Sequence, residues 1–103
     1  MIQDFANRGL QELFDSGQSD KIPKGLGARV SKLLEALDAA SEVEDMRSPN
    51  ADLRRIWKGR FRGCWSVRVA GAWRLVFRFA KGHARGADLV LFPVHKREEV
   101  DEM

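Results

Sequence analysis

Residues 66–77 read SVRVAGAWRLVF, two runs of alternating character around a small Ala-Gly-Ala segment. The alternation predicts strands over about 64–69 and 73–79. In the first run Trp65, Val67 and Val69 share a face; in the second, Trp73, Leu75, Phe77 and Phe79 do. Directly opposed residues of a sheet point to the same side, so odd positions must pair with odd positions. That requires an odd number of turn residues, and Ala70-Gly71-Ala72 supplies it. Val69 then pairs with Trp73, Val67 with Leu75 and Trp65 with Phe77. The same register sets Arg68 opposite Arg74 on the other face, where like charges repel. Either an acid reaches them, from the helices, Asp88 or the tail, or the face is built to receive an anion. Arginine's planar fork suits phosphate oxygens.

Upstream of the hairpin the period is helical. Ile2, Phe5, Ala6, Leu10, Leu13 and Phe14 form one stripe over 2–15, which Gly17 can end. Pro23 suits the entry to a second helix, whose stripe is Leu26, Val30, Leu33, Leu34 and Leu37 and which runs to about Ala40. The stretch SPNAD (48–52) is a break, and beyond it the period becomes two. A weak strand is predicted over about 53–57. KGRFRG (58–63) and KGHARG (81–86) read as basic turns, the second with His83 exposed in it. The last strand, 88–92, is nearly all apolar, the pattern of a central strand. Helix, helix, then hairpin-joined strands predicts an α+β fold in one domain, 1–103. Its two antiparallel N-terminal helices pack on one face of a small, mainly antiparallel sheet of about four strands.

Charge is distributed unevenly. Residues 1–52 hold six Lys/Arg and ten Asp/Glu, 53–87 hold ten Lys/Arg and no acid, and 88–103 hold two and five. An acid-free basic block is the electrostatic footprint of a nucleic-acid surface, or a solvated face whose acids come from elsewhere in the fold. One cysteine and two histidines exclude a disulfide framework and give no plausible zinc cluster, so no metal and no cofactor are expected. Cys64 reads as a small buried thiol. The N-terminus lacks a signal-peptide pattern and no run is long enough to span a bilayer, which points to a cytoplasmic protein with no membrane partner.

LxxLDAA (34–40), Asp45-Met46-Arg47, Pro49, WKG (57–59), GCWSVRV (63–69), AWRLVFRF (72–79) and His95 occur in one order. In this the chain resembles the HigB-type toxins of the RelE/ParE superfamily, also called plasmid-maintenance killer proteins. The likeness runs from DFANRGLQELF to His95. It implies a curved antiparallel sheet under two helices, and cleavage of mRNA in the ribosomal A site. The implied partners are a HigA-like helix-turn-helix antitoxin, mRNA on the ribosome and ribosomal RNA. The arginine of WRL matches Arg74, that of SVRV matches Arg68, and the lysine of KG matches Lys58. Relatives often carry a histidine where this chain has Arg55. They commonly end the last strand Asp-Tyr-His, where this chain reads Pro93-Val94-His95, and the sequence has no tyrosine. Trp57, Phe61 and Phe92 are the aromatics that could stack on a base in its place, or could simply pack.

The residues then suggest a division of labour. RNA cleaves through its own 2′-hydroxyl once that oxygen is aligned, protons are moved and charge on the phosphate is stabilised. Arg74 and Arg68 would hold the phosphate, Lys58 would polarise the hydroxyl or bind phosphate, and His95 would be the general acid. Arg55, Arg60, Arg62, Arg78, Lys81 and Arg85 read as sequence-blind phosphate contacts. Two alternatives stay open: a ParE-like gyrase poison, and a decayed toxin that only binds its antitoxin.

Overall fold

The computed structural model describes residues 1–92; Pro93, Val94, His95 and the acidic tail lie outside the described residues. Two helices, α1 (Arg8–Ser16) and α2 (Gly27–Ala39), precede a single 3-10 turn (Val43–Met46) and four strands. The strands are β1 (Arg54–Arg55), β2 (Trp65–Ala70), β3 (Trp73–Ala80) and β4 (His83–Leu91), antiparallel and in the order β1-β2-β3-β4. This is the predicted α+β arrangement.

The helices supply Leu10, Leu13, Val30, Leu33, Leu34 and Leu37 to the main core; the sheet supplies Val67, Val69, Leu75, Phe77, Ala87 and Leu89. Phe77, Leu75 and Val67 are completely buried. That set contains Val67, Val69, Leu75 and Phe77 of the odd-numbered face predicted for the hairpin, and Trp65, Trp73 and Phe79 pack against it partly buried. Trp65 pairs with Phe77, Val67 with Leu75 and Arg68 with Arg74, as parity requires. The closing pair differs: Ala70, not Val69, faces Trp73, and the register shifts between Arg68 and Ala70. A bulge absorbs one residue, so Val69 keeps its core position while Gly71, at φ 56°, and Ala72 make the turn.

Three expectations are corrected. The first helix begins at Arg8 rather than Ile2, because the Asn7 side chain accepts the Leu10 N–H and caps it there. Residues 1–6 instead run along β4, with Ile2 bridged to Ala84 and Phe5 to Ala87. Second, β4 starts at His83, not at 88. Only Lys81 and Gly82 turn, with φ 53° and 81°, the left-handed pair of a two-residue hairpin loop. Third, β4 is the last strand of the sheet rather than a central one. Its apolar run is explained by burial on both faces, with Leu89 in the main core and Val90 and Phe92 packed on the opposite side, while the N-terminal segment pairs with its outer edge through Gln3 N–H to Ala84 O (2.8 Å) and Ala6 N–H to Ala87 O (2.9 Å). β1 is shorter than predicted, two residues against five.

A second, smaller cluster lies on the outer face, where Ile56, Cys64, Val76 and Phe92 are buried and Phe61 and Val90 pack against them. Phe61 meets Phe92 nearly edge-on, at 6.3 Å between centroids. Phe61 and Phe92 are thus packing residues. Trp57 is 57% exposed. Cys64 is buried as predicted, and burial pushes its thiol above the usual range despite the nearby Arg78 charge. None of the described helices is long and apolar enough to cross a membrane.

Candidate functional site

The even-numbered residues of β2 and β3 face away from the helices. At their centre is Arg74, which is only 8% exposed. Its guanidinium is closely held. Nε donates to Ser66 Oγ (2.8 Å), Nη1 to Asp52 Oδ2 (3.1 Å), and Nη2 to both the Asp52 and Ser66 carbonyl oxygens. A guanidinium has five N–H donors, so this set leaves one, on Nη1, for any further acceptor. Ser66 is itself buried and lies within reach of the Arg54 carbonyl at 3.4 Å.

Asp52 answers the question that the opposed arginines raised. An acid does reach them, and it comes from the break before β1. Ser48 O accepts the N–H groups of Ala51 and Asp52, and Asp52 adopts φ 47°, a left-handed conformation that Asp tolerates better than most residues. The Arg68 N–H binds Ala51 O, fixing this segment beside β2. The carboxylate then meets Arg54 Nε at 2.9 Å, Arg74 Nη1 at 3.1 Å and Arg68 Nη2 at 3.8 Å. Burial alone would raise the Asp52 carboxyl, but hydrogen bonds from Arg54 and Arg74 outweigh it and hold it below the ordinary range. Burial lowers the Arg74 guanidinium from its usual value, opposed by Asp52. Three guanidiniums surround one carboxylate, so the centre keeps a positive excess. Asp52 is a poor proton acceptor near neutrality for the same reason.

Arg68 differs from its partner. Its side chain is 56% exposed, and its approach to Asp52 is too long for a hydrogen bond. Arg74 is therefore the buried anchor and Arg68 the accessible cation. Lys58, Arg60 and Arg62 are exposed on the loop 57–63. Phe61 pins that loop to the outer face, and Arg60 lies 5.2 Å from the Phe61 ring centre. Arg55, Arg78, Lys81 and Arg85 gather elsewhere, around a cleft of about 520 Å³ at the far end of β3. The candidate acid His95 lies outside the described residues. No group of three or more potential metal ligands occurs among the described residues.

This architecture agrees with the comparisons to known proteins. Residues 3–91 match the family model described as a RelE-like toxin of the type II toxin-antitoxin system HigB. The chain belongs to the HigB-like toxin family. It is 33% identical over 84 residues to the protein named endoribonuclease HigB of Proteus vulgaris, covering 82% of this chain and 90% of that one. It is 28% identical over 85 residues to toxin HigB-1 of Vibrio cholerae serotype O1, with the same coverage. A HigB-like toxin of a type II system has an antitoxin as its partner.

Two residues of this HigB-like chain escaped the sequence reading. Asp52 is 22 positions from Arg74, and the only sign was that it is the last acid before the acid-free block. His83, read as exposed in a loop, opens β4 and is half-buried. Lys81-Gly82 was the available signal, since a two-residue turn there forces pairing to resume at His83.

Proposed function

We propose that this toxin is a metal-independent endoribonuclease that cleaves mRNA in the ribosomal A site. The observation that carries the reading is the arginine centre on the open face of the sheet: Arg74 immobilised by Asp52 and Ser66, with Arg68 accessible beside it. Arg68 and the remaining Arg74 N–H would bind the scissile phosphate and the charge that builds as the 2′-hydroxyl attacks. Fixed donors in a shielded site need no reorganisation during the reaction, which is where such stabilisation is strongest. Lys58, on the pinned loop, would bind phosphate or polarise the hydroxyl, and His95 would protonate the leaving oxygen. Arg60 and Arg62 would track the RNA backbone. The name of the Proteus vulgaris relative supports cleavage of RNA; the basic surface supports a ribosomal setting in the cytoplasm, and the toxin-antitoxin family supports an antitoxin partner, which in this reading is a HigA-like helix-turn-helix protein.

The test uses both arginines. Arg74→Ala loses a buried anchor and can fail by misfolding, so Arg68→Ala, on an exposed side chain, is the cleaner variant. Wild type should arrest growth on induction and yield mRNA ends mapped to A-site codons. Arg68→Ala should fold, bind antitoxin and lose the cuts. DNA damage without mRNA cuts would replace this reading with gyrase poisoning. Absence of any growth phenotype would mean a toxin that only binds its antitoxin.

A further inference from the structure

The cleft at the far end of β3 is chemically unlike the Asp52 centre. Arg55, Arg78, Lys81 and Arg85 line it, with His83 and Trp65, and among the described residues no carboxylate does. None of the four cations lies within ion-pair distance of an acid among the described residues. The Arg85 Nε donates to Gln3 Oε1 at 2.7 Å, which orients the side chain and leaves its charge uncompensated. Asp4, next to Gln3, is occupied by the Gly86 N–H.

The polar atoms show the same deficit. The Arg55 guanidinium carbon lies 5.0 Å from the Trp65 ring centre and 5.7 Å from that of Trp57. Those rings hold the cation but accept none of its N–H bonds directionally. Among the described residues, Arg55 Nε is buried with no partner, and so is His83 Nδ1. Buried polar atoms left unpaired cost on the order of 1–3 kcal/mol each and call for a missing partner. Lys81, in the two-residue turn between β3 and β4, adds a further exposed cation to the lining.

We propose that this cleft is a second phosphate site, distinct from the Arg74 centre, which takes an internal phosphodiester of single-stranded RNA. It rests on the ribonuclease reading only for the identity of the polyanion. Arg74 and Arg78 are four residues apart on one strand and one face, roughly 13 Å at 3.3 Å per residue. The cleft would therefore grip the strand well beyond the scissile phosphate and set the direction in which it crosses the sheet.

Binding can be read without cleavage. Inorganic phosphate is titrated into the 15N-labelled full chain, and then a deoxytrinucleotide with no terminal phosphates, which has no 2′-hydroxyl to attack. The His83 ring and Arg55 Nε signals should shift saturably with both. The trinucleotide should displace phosphate. The exposed pair Arg78→Ala/Lys81→Ala should retain dispersed spectra and lose at least tenfold in affinity for both probes; Lys81→Glu alone should lose several-fold. Unchanged affinity in the double variant would overturn the proposal, as would non-saturating shifts spread equally over Lys58, Arg60 and Arg62. Saturable phosphate binding without trinucleotide binding would overturn the diester assignment. A wild type that passes these tests yet cuts no RNA would refute the cleavage reading and leave the cleft standing.

Discussion

The sheet carries two clusters of cations, one on its outer face and one at the far end of β3, that solve the same problem in opposite ways. Around Arg74, repulsion is relieved internally: one carboxylate, one hydroxyl and two carbonyls surround a buried guanidinium. Around Arg78, no acid among the described residues relieves it, and two polar atoms there have no partner among those residues. Val76 and its apolar neighbours separate the two. The difference shows that an arginine in an acid-free block of sequence can still be neutralised. It also shows that rigidity and availability are different properties. Arg74 has the first, Arg78 the second, and Arg68 stands between.

The largest effect should come from Arg74. Arg74→Ala should lower RNA cleavage on the order of 10²–10³-fold. It should also destabilise the fold by about 1–3 kcal/mol, because the Ser66 hydroxyl and the Asp52 carboxylate lose their donors. Rate and chemical denaturation on the same sample check both. Arg68→Ala should match that rate loss with stability within about 0.5 kcal/mol of wild type, as expected of an exposed side chain. If both variants were equally destabilised, the contrast between anchor and accessible cation would break down.

Asp52→Asn sharpens the comparison from the other side. Removing the competing carboxylate should tighten RNA binding while loosening the fold. Acid sensitivity should change as well. A carboxyl held below its ordinary value stabilises the folded state above about pH 3.9, and this contribution is lost as pH falls through the depressed folded value. Glu12, Glu44 and Asp45 are also lowered, but on exposed surface. The part of the acid-unfolding curve that Asp52→Asn removes is therefore the part that belongs to the centre. An unaltered acid limb would show that the carboxylate contributes no net stability.

The smallest effects should come from the loop. Arg60→Ala or Arg62→Ala should each reduce the salt dependence of single-stranded RNA binding by about 0.7 in the log–log slope. Thermal stability should stay nearly constant. A slope unchanged in both would remove the loop from the RNA path.

The legibility of this molecule followed locality. The hairpin register could be read because alternation and one buried face fix it within the single hairpin 65–80. Even there the bulge at Val69 was invisible, since both registers keep the same residues in the core. The arginine pair was legible as a like-charged contact, but its solution was not. Asp52 belongs to a turn whose left-handed geometry no local pattern announces. The N-terminal error has a similar origin. Ile2 and Phe5 are spaced three apart, which suits a helical stripe and equally suits two bridges to Ala84 and Ala87. Asn7 is the residue that discriminates, since its side chain caps the helix at Arg8. The reading of β4 failed because His83, Arg85 and Gly86 look like loop residues until the turn beside them is recognised as two residues long.

The pairing of residues 1–6 with β4 has a consequence during synthesis. Residues 1–6 have their backbone partners at positions 84 and 87, far downstream in the sequence. Contacts of that sequence separation form late and slowly. Until β4 has emerged, β3 lacks a neighbour on one side, and the Arg78–Arg85 cleft does not exist. A nascent chain that has not yet delivered β4 therefore lacks this cleft, and the second cation cluster assembles only once that strand has paired.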